Sequence, residues 1–217
     1  VTRKGALIDP LKARYGETGY EYWNGGVTSY NTIQSIRLFL RQSAQLSPDH
    51  VILTIQPDDI ETIPIAFLND AMQLILYAPN APMSARDRWL FSQSHLYRFF
   101  LGLTSSRRGG EQAILEEIRR HLAALKQHLD RRHAKLTVLV MPLLCPVELW
   151  DEEERNRRSA LIRILANLQI RSLDLAAPVA SAVAEGIPLH EKPGNLLLPS
   201  PQVAEVMASF LREQELL

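Results

Sequence analysis

The chain has 217 residues, 46% hydrophobic and 22% charged, the composition of an ordinary globular protein built as one domain spanning 1–217. Lys+Arg and Asp+Glu are equal at 24 each, so no net field draws nucleic acid or an anionic membrane, and the doublets Arg107-Arg108, Arg119-Arg120 and Arg131-Arg132 read as solvated faces. One cysteine, Cys145, excludes an internal disulfide framework and a cysteine-based zinc site, and no run of about 18 uncharged apolar residues is available to span a bilayer.

The chain begins at Val1 with no signal-like segment, which reads as a removed leader or anchor, or as a piece of a longer protein. Thr2 to Gly16 predicts a short helix, with Leu7, Ile8, Leu11 and Tyr15 at helical spacing. A short strand, Tyr20–Asn24, then turns at Asn24-Gly25-Gly26 into a helix from about Ser29 to Gln45, with Ile33, Ile36 and Leu40 on its apolar face. So sharp a turn would leave backbone N–H groups of Gly25, Gly26 and Ser29 where an oxyanion or phosphate can sit. The next strand, His50–Gln56, is apolar almost throughout, as parallel strands buried on both faces are, and ends at Pro57-Asp58-Asp59. The two strand ends together predict an active-site rim.

The stretch 61–110 reads as an irregular or helical insertion. It holds apolar runs at Ile63–Leu68 and Met72–Tyr77, an aromatic cluster (Trp89, Phe91, Tyr97, Phe99, Phe100) and a linker-like TSSRRGG from Thr104 to Gly110. From Glu111 the pattern is plain: Ile114, Leu115, Ile118, Leu122, Leu125 and Leu129 mark a long amphipathic helix. A strand at Leu136–Leu144 follows. A helix then opens on Asp151-Glu152-Glu153-Glu154, whose charges suit the positive end of its dipole. Ile170–Leu175 reads as another strand, followed by an irregular stretch and a last helix at Pro201–Glu215. Strands alternating with helices predict a doubly wound α/β sheet, and with four strands visible a further one is expected upstream of Val1.

Three blocks in order resemble the SGNH/GDSL hydrolases, a family of esterases and acyl-transferring enzymes. Asn24-Gly25-Gly26-Val27-Thr28-Ser29-Tyr30-Asn31-Thr32 is similar to its second block, Pro57-Asp58-Asp59 after a buried strand to its third, and Asn195 to Pro201 to its last. The resemblance implies a three-layer α/β/α, flavodoxin-like fold and a serine nucleophile held by a histidine and an aspartate, with no cofactor and no metal. It places Ser29 at a backbone oxyanion donor, Asp58 at an asparagine donor, Asn195 at the aspartate and Leu198 at the histidine. The side chains of Asp58, Asn195 and Leu198 do not match these roles, and the G-D-S block itself would precede Val1. An alternative alignment makes His190 the base, oriented by Glu185 or Glu191.

Other candidates have plainer explanations. Asp58 and Asp59 form a carboxylate pair or a helix cap, the cap being preferred. His121 and His128 share a helix face, read as solvated rather than metal-binding, and Cys145 reads as a structural thiol. Two functional readings follow. One is a non-catalytic module that binds protein partners or assembles with complex subunits. The other is an active esterase or O-acyltransferase whose nucleophile lies upstream of residue 1. A third, weaker use is anion binding at Gly25–Ser29. The stretch Ser94–Phe99 is similar to an insertion of membrane-anchored periplasmic members, which implies a bacterial extracytoplasmic setting and an upstream anchor.

Overall fold

The computed structural model describes residues 21–27, 30–60, 65–68, 74–77, 84–94, 96–97, 100, 107–190 and 199–214. A three-stranded parallel sheet runs in the order β1 (His50–Ile55), β4 (Lys135–Val140), β5 (Arg171–Asp174). His50 pairs with Lys135 and Ile55 with Val140, and Thr137 to Val140 pair with Arg171 to Asp174. Between β1 and β4 the chain makes a separate antiparallel hairpin, β2 (Ile65–Leu68) and β3 (Leu74–Tyr77).

Alternation along β4 builds two cores. Val138 and Val140 face one side, with Ile33 and Ile36 of α1 (Thr32–Gln42), Ile118, Leu122, Leu125 and Leu129 of α3 (Arg107–Asp130), and Leu161 and Leu165 of α4 (Glu152–Asn167). Leu139 faces the other, with Val179 and Ala182 of α5 (Ala176–Ala184) and Val203, Met207 and Leu211 of α6 (Pro201–Glu213). The result is an α/β fold of three layers with a parallel sheet flanked by helices, as expected. A further helix, α2 (Ala85–Gln93), follows the hairpin.

Several expectations are corrected. Glu21–Asn24 form no strand, and Trp23 is exposed, because none of the described strands pairs with this stretch. The part of the expected linker from Arg107 to Gly110 is the first turn of α3, with Gly110 buried. The first part of the stretch after β5, Ala176–Ala184, is helical rather than irregular. Asp174 Oδ1 accepts from Ala176 N–H at 3.0 Å, which starts α5. β1 is only partly buried, and its Thr54 is exposed, because β4 is its one partner among the described strands. The helix expected at Thr2–Gly16 lies outside the described residues.

The face of α3 read as solvated packs instead on α1. Arg37 Nε donates to His121 Nε2 at 3.0 Å, so His121 carries its proton on Nδ1 and donates it to Glu117 O at 2.8 Å. His128 meets Phe39 edge to face at 6.4 Å, and burial together with Arg132 and Arg131 pushes its pKa down. Both imidazoles therefore serve a helix–helix contact.

Candidate functional site

The start of α1 is fixed by a capping box. Asn31 Oδ1 accepts from Gln34 N–H at 3.0 Å, and Gln34 Oε1 accepts from Asn31 N–H at 3.0 Å. Beside it, Thr32 donates its hydroxyl to Asp59 Oδ2 at 3.2 Å, and the same oxygen accepts from Gln56 N–H at 3.1 Å. Asp59 therefore ties the head of α1 to the end of β1, the capping use expected for one of the two carboxylates. The N-x-x-Q spacing of Asn31 and Gln34 was the sequence signal for this cap, and it went unread.

Asp58 has a different environment. It sits at the carboxyl end of β1, half-buried, against the first turns of α4, and its Oδ1 is buried without a hydrogen-bond partner among the described residues. Burial pushes its pKa up, while its own N–H, that of Asp59 and the Arg157 guanidinium oppose the rise. Glu154 is raised as well, by burial first and then by Asp151, Asp58 and Glu153. Asp58 and Glu154 thus form an acidic pair across β1 and α4. Arg157 offsets part of that charge but is also bonded to Glu111 at 3.1 Å and to Glu153. Behind the pair, Arg158 bonds Asp174 at the end of β5 and lies 5.5 Å over the Trp150 ring. Cys145 is half-buried, and burial and Glu154 raise its pKa, so it holds a thiol and not a nucleophilic thiolate.

The sign of the Asp58 effect can be tested. A carboxyl whose folded pKa is raised binds its proton more tightly in the native state, so stability falls as pH rises above the unfolded value of about 3.9. Asp58→Asn keeps the shape and removes the ionisation. Thermal melts are expected to show the variant more stable than the parent at pH 8, with the gap closing toward pH 4. A variant less stable at pH 8 would mean that the carboxylate is well compensated.

On the other face of the sheet lies α6. Arg171, at the start of β5, donates to Gln214 O just past α6, so α6 runs against β5 and its head lies toward the carboxyl ends of the strands. Ser200 is buried there. It donates its hydroxyl to Pro188 O at 2.5 Å and accepts from Val203 N–H at 3.2 Å as the cap of α6, so it is committed to structure. Next to it, His190 pairs in an isolated antiparallel bridge with Pro199, and its Nδ1 is buried without a hydrogen-bond partner among the described residues. Glu185 ends α5 and is exposed.

Ser29, Asn195, Leu198 and Glu191 lie outside the described residues. In the Gly25–Gly26 turn, Gly26 N–H already donates to Asn24 Oδ1 at 3.0 Å, and both glycines are exposed. Among the described residues no cluster of three or more His, Cys, Asp or Glu is placed to hold a metal ion.

No family model matches the chain, and no curated protein matches it. Solved structures do. LAE5, an alpha/beta hydrolase enzyme from the metagenome of Lake Arreo, Spain, is 17% identical with a TM-score of 0.57, over 96% of this chain and 79% of that one. Axe2, an acetylxylan esterase from Geobacillus stearothermophilus, is 18% identical with a TM-score of 0.54, over 95% and 78%. The acetyl xylan esterase AlAXEase is 11% identical with a TM-score of 0.57, over 98% and 92%. At such identities the likeness establishes the fold: this chain has the α/β architecture of these proteins.

Proposed function

We propose that the chain is an esterase-type domain acting on acyl esters, in which His190 is the general base and the nucleophilic serine lies upstream of residue 1. The observation that carries this reading is the bridge between His190 and Pro199, which sets an imidazole beside the head of α6. Pro199 directly follows Leu198, the position to which the SGNH resemblance assigns the histidine, so His190 can supply from the bridged segment what Leu198 lacks. The fold likeness to acetylxylan esterases supports the reaction class and suggests acetylated carbohydrate as substrate. In the reaction, the serine oxygen attacks the acyl carbon as His190 takes its proton. His190 then returns the proton to the departing alcohol, and water releases the acid by the same steps.

A second reading, a non-catalytic binding module, starts from Asp58. An ionised carboxylate where an oxyanion donor is expected, with Glu154 beside it, opposes the charge that develops on the substrate. In its neutral form the same carboxyl is a donor, as buried acids can be. Reaction of the full-length protein with a fluorophosphonate probe separates the two. The esterase reading expects a labelled serine and hydrolysis of p-nitrophenyl acetate. Absence of both would leave the binding module.

A further inference from the structure

The contact between α1 and α3 is built on neutral imidazoles. His121 and His128 both face α1 from α3, the first against Arg37 and the second against Phe39. The two ring nitrogens of His121 are used in opposite senses: Nδ1–H donates to Glu117 O at 2.8 Å, while Nε2 accepts from Arg37 Nε–H at 3.0 Å. A further proton on this ring has one place to go, Nε2. There it turns the acceptor into an N–H aimed at another N–H and sets an imidazolium against a guanidinium, which cannot deprotonate to relieve the clash. His128 has a parallel difficulty. Its Nε2 is buried without a hydrogen-bond partner among the described residues, so an imidazolium there would bury an N–H that nothing accepts.

The charges around the two rings do not offset these costs. Facing His121 are Arg37 of α1 and Glu117 of α3, and Glu117 already accepts from Arg37 Nη2 at 3.1 Å. Facing His128 are the Phe39 ring of α1 and Arg132 and Arg131 of α3. Arg132 is held in place, because its Nη1 donates to Ser43 O at 2.6 Å and to Leu46 O at 3.2 Å just past α1. On the same part of α3, Lys126 and Asp130 bond each other at 2.7 Å, and the last turn of α1 adds Arg41. Burial and the two arginines hold the His128 pKa below its ordinary value. A folded-state pKa below the unfolded one means that the neutral ring stabilises the contact above about pH 6.5, and that this contribution is lost as pH falls.

We propose that the α1–α3 contact is an acid-sensitive latch, closed while His121 and His128 are neutral and released when they take up protons. Thr32, at the head of α1, donates its hydroxyl to Asp59 Oδ2 at 3.2 Å, so release of the helix reaches the carboxyl end of β1. The latch is independent of His190 and of the ester chemistry.

Amide hydrogen exchange of the full chain, corrected for the intrinsic effect of pH, tests it. Between about pH 7.5 and about pH 5 the protection of α1 is expected to fall about tenfold, the effect of losing one hydrogen bond to a charged group. Protection of α6, which packs on the other face of the sheet, is expected to stay. A variant carrying His121→Gln and His128→Gln offers Arg37 an amide oxygen and does not titrate, so its α1 is expected to stay protected at both values. Nitrogen-15 spectra of the parent cover the case in which that variant fails to fold: His121 Nε2 is expected to gain its proton over the range in which α1 loses protection. Unchanged α1 protection at the lower pH, α6 opening together with α1, or an acid loss that persists in the variant would overturn the proposal. So would a protonated Nε2 with α1 still closed.

Discussion

Leu122→Ala is expected to destabilise the domain by about 3 kcal/mol, the middle of the range for emptying a fully buried leucine site. Leu122 lies at the centre of α3, fully buried, in the core that also holds Ile33 and Ile36 of α1, Val138 and Val140 of β4 and Leu165 of α4. Because one helix face joins the sheet to two other helices, the cavity cannot be closed by moving a single neighbour, and the cost stays near the full transfer-plus-cavity value. For a chain of this size, that corresponds to a melting temperature lower by about 6–12 °C. Arg120→Ala, on the exposed side of the same helix, is expected to change stability by no more than about 0.5 kcal/mol. Thermal or denaturant unfolding of the pair checks the assignment of the faces; equal losses would contradict it.

That helix was also the most legible part of the sequence. Its leucines and isoleucines recur at helical spacing for about four turns, and the acidic run Asp151–Glu154 marked the start of α4 by its fit to the helix dipole, where Asp151 Oδ1 also caps the helix by accepting from Glu154 N–H at 2.8 Å. α5 left no such trace. Ala176-Ala177-Pro178-Val179-Ala180-Ser181-Ala182-Val183-Ala184 is small and apolar on every side, so it offers no contrast between faces. The Tyr20–Asn24 expectation failed for the opposite reason, because local β-propensity was strong and no partner strand is present among the described residues to realise it. β2 and β3 were visible as apolar runs, but their pairing is a matter of tertiary contact that neither run encodes alone.

The site follows the same division. Asp58 and Asp59 were legible as carboxylates at a strand end, and one of them as a cap. What distinguishes them comes from elsewhere in the chain: Thr32 at the head of α1 occupies Asp59, while Glu154 and Arg157 on α4 surround Asp58. His190 was visible as an alternative base, but its placement against Pro199 depends on the return of the chain from α5 to α6, and no local pattern announces that.

The most direct test of the esterase reading is the hydrolysis rate of full-length protein carrying His190→Gln, measured on acetylated xylo-oligosaccharide or p-nitrophenyl acetate. Glutamine keeps polar volume at the bridge and cannot transfer a proton. If His190 is the base, kcat/KM is expected to fall about a thousandfold, within the range for loss of a general base, while the melting temperature stays close to the parent's. A His190→Gln protein that hydrolyses the ester as fast as the parent would contradict the assignment.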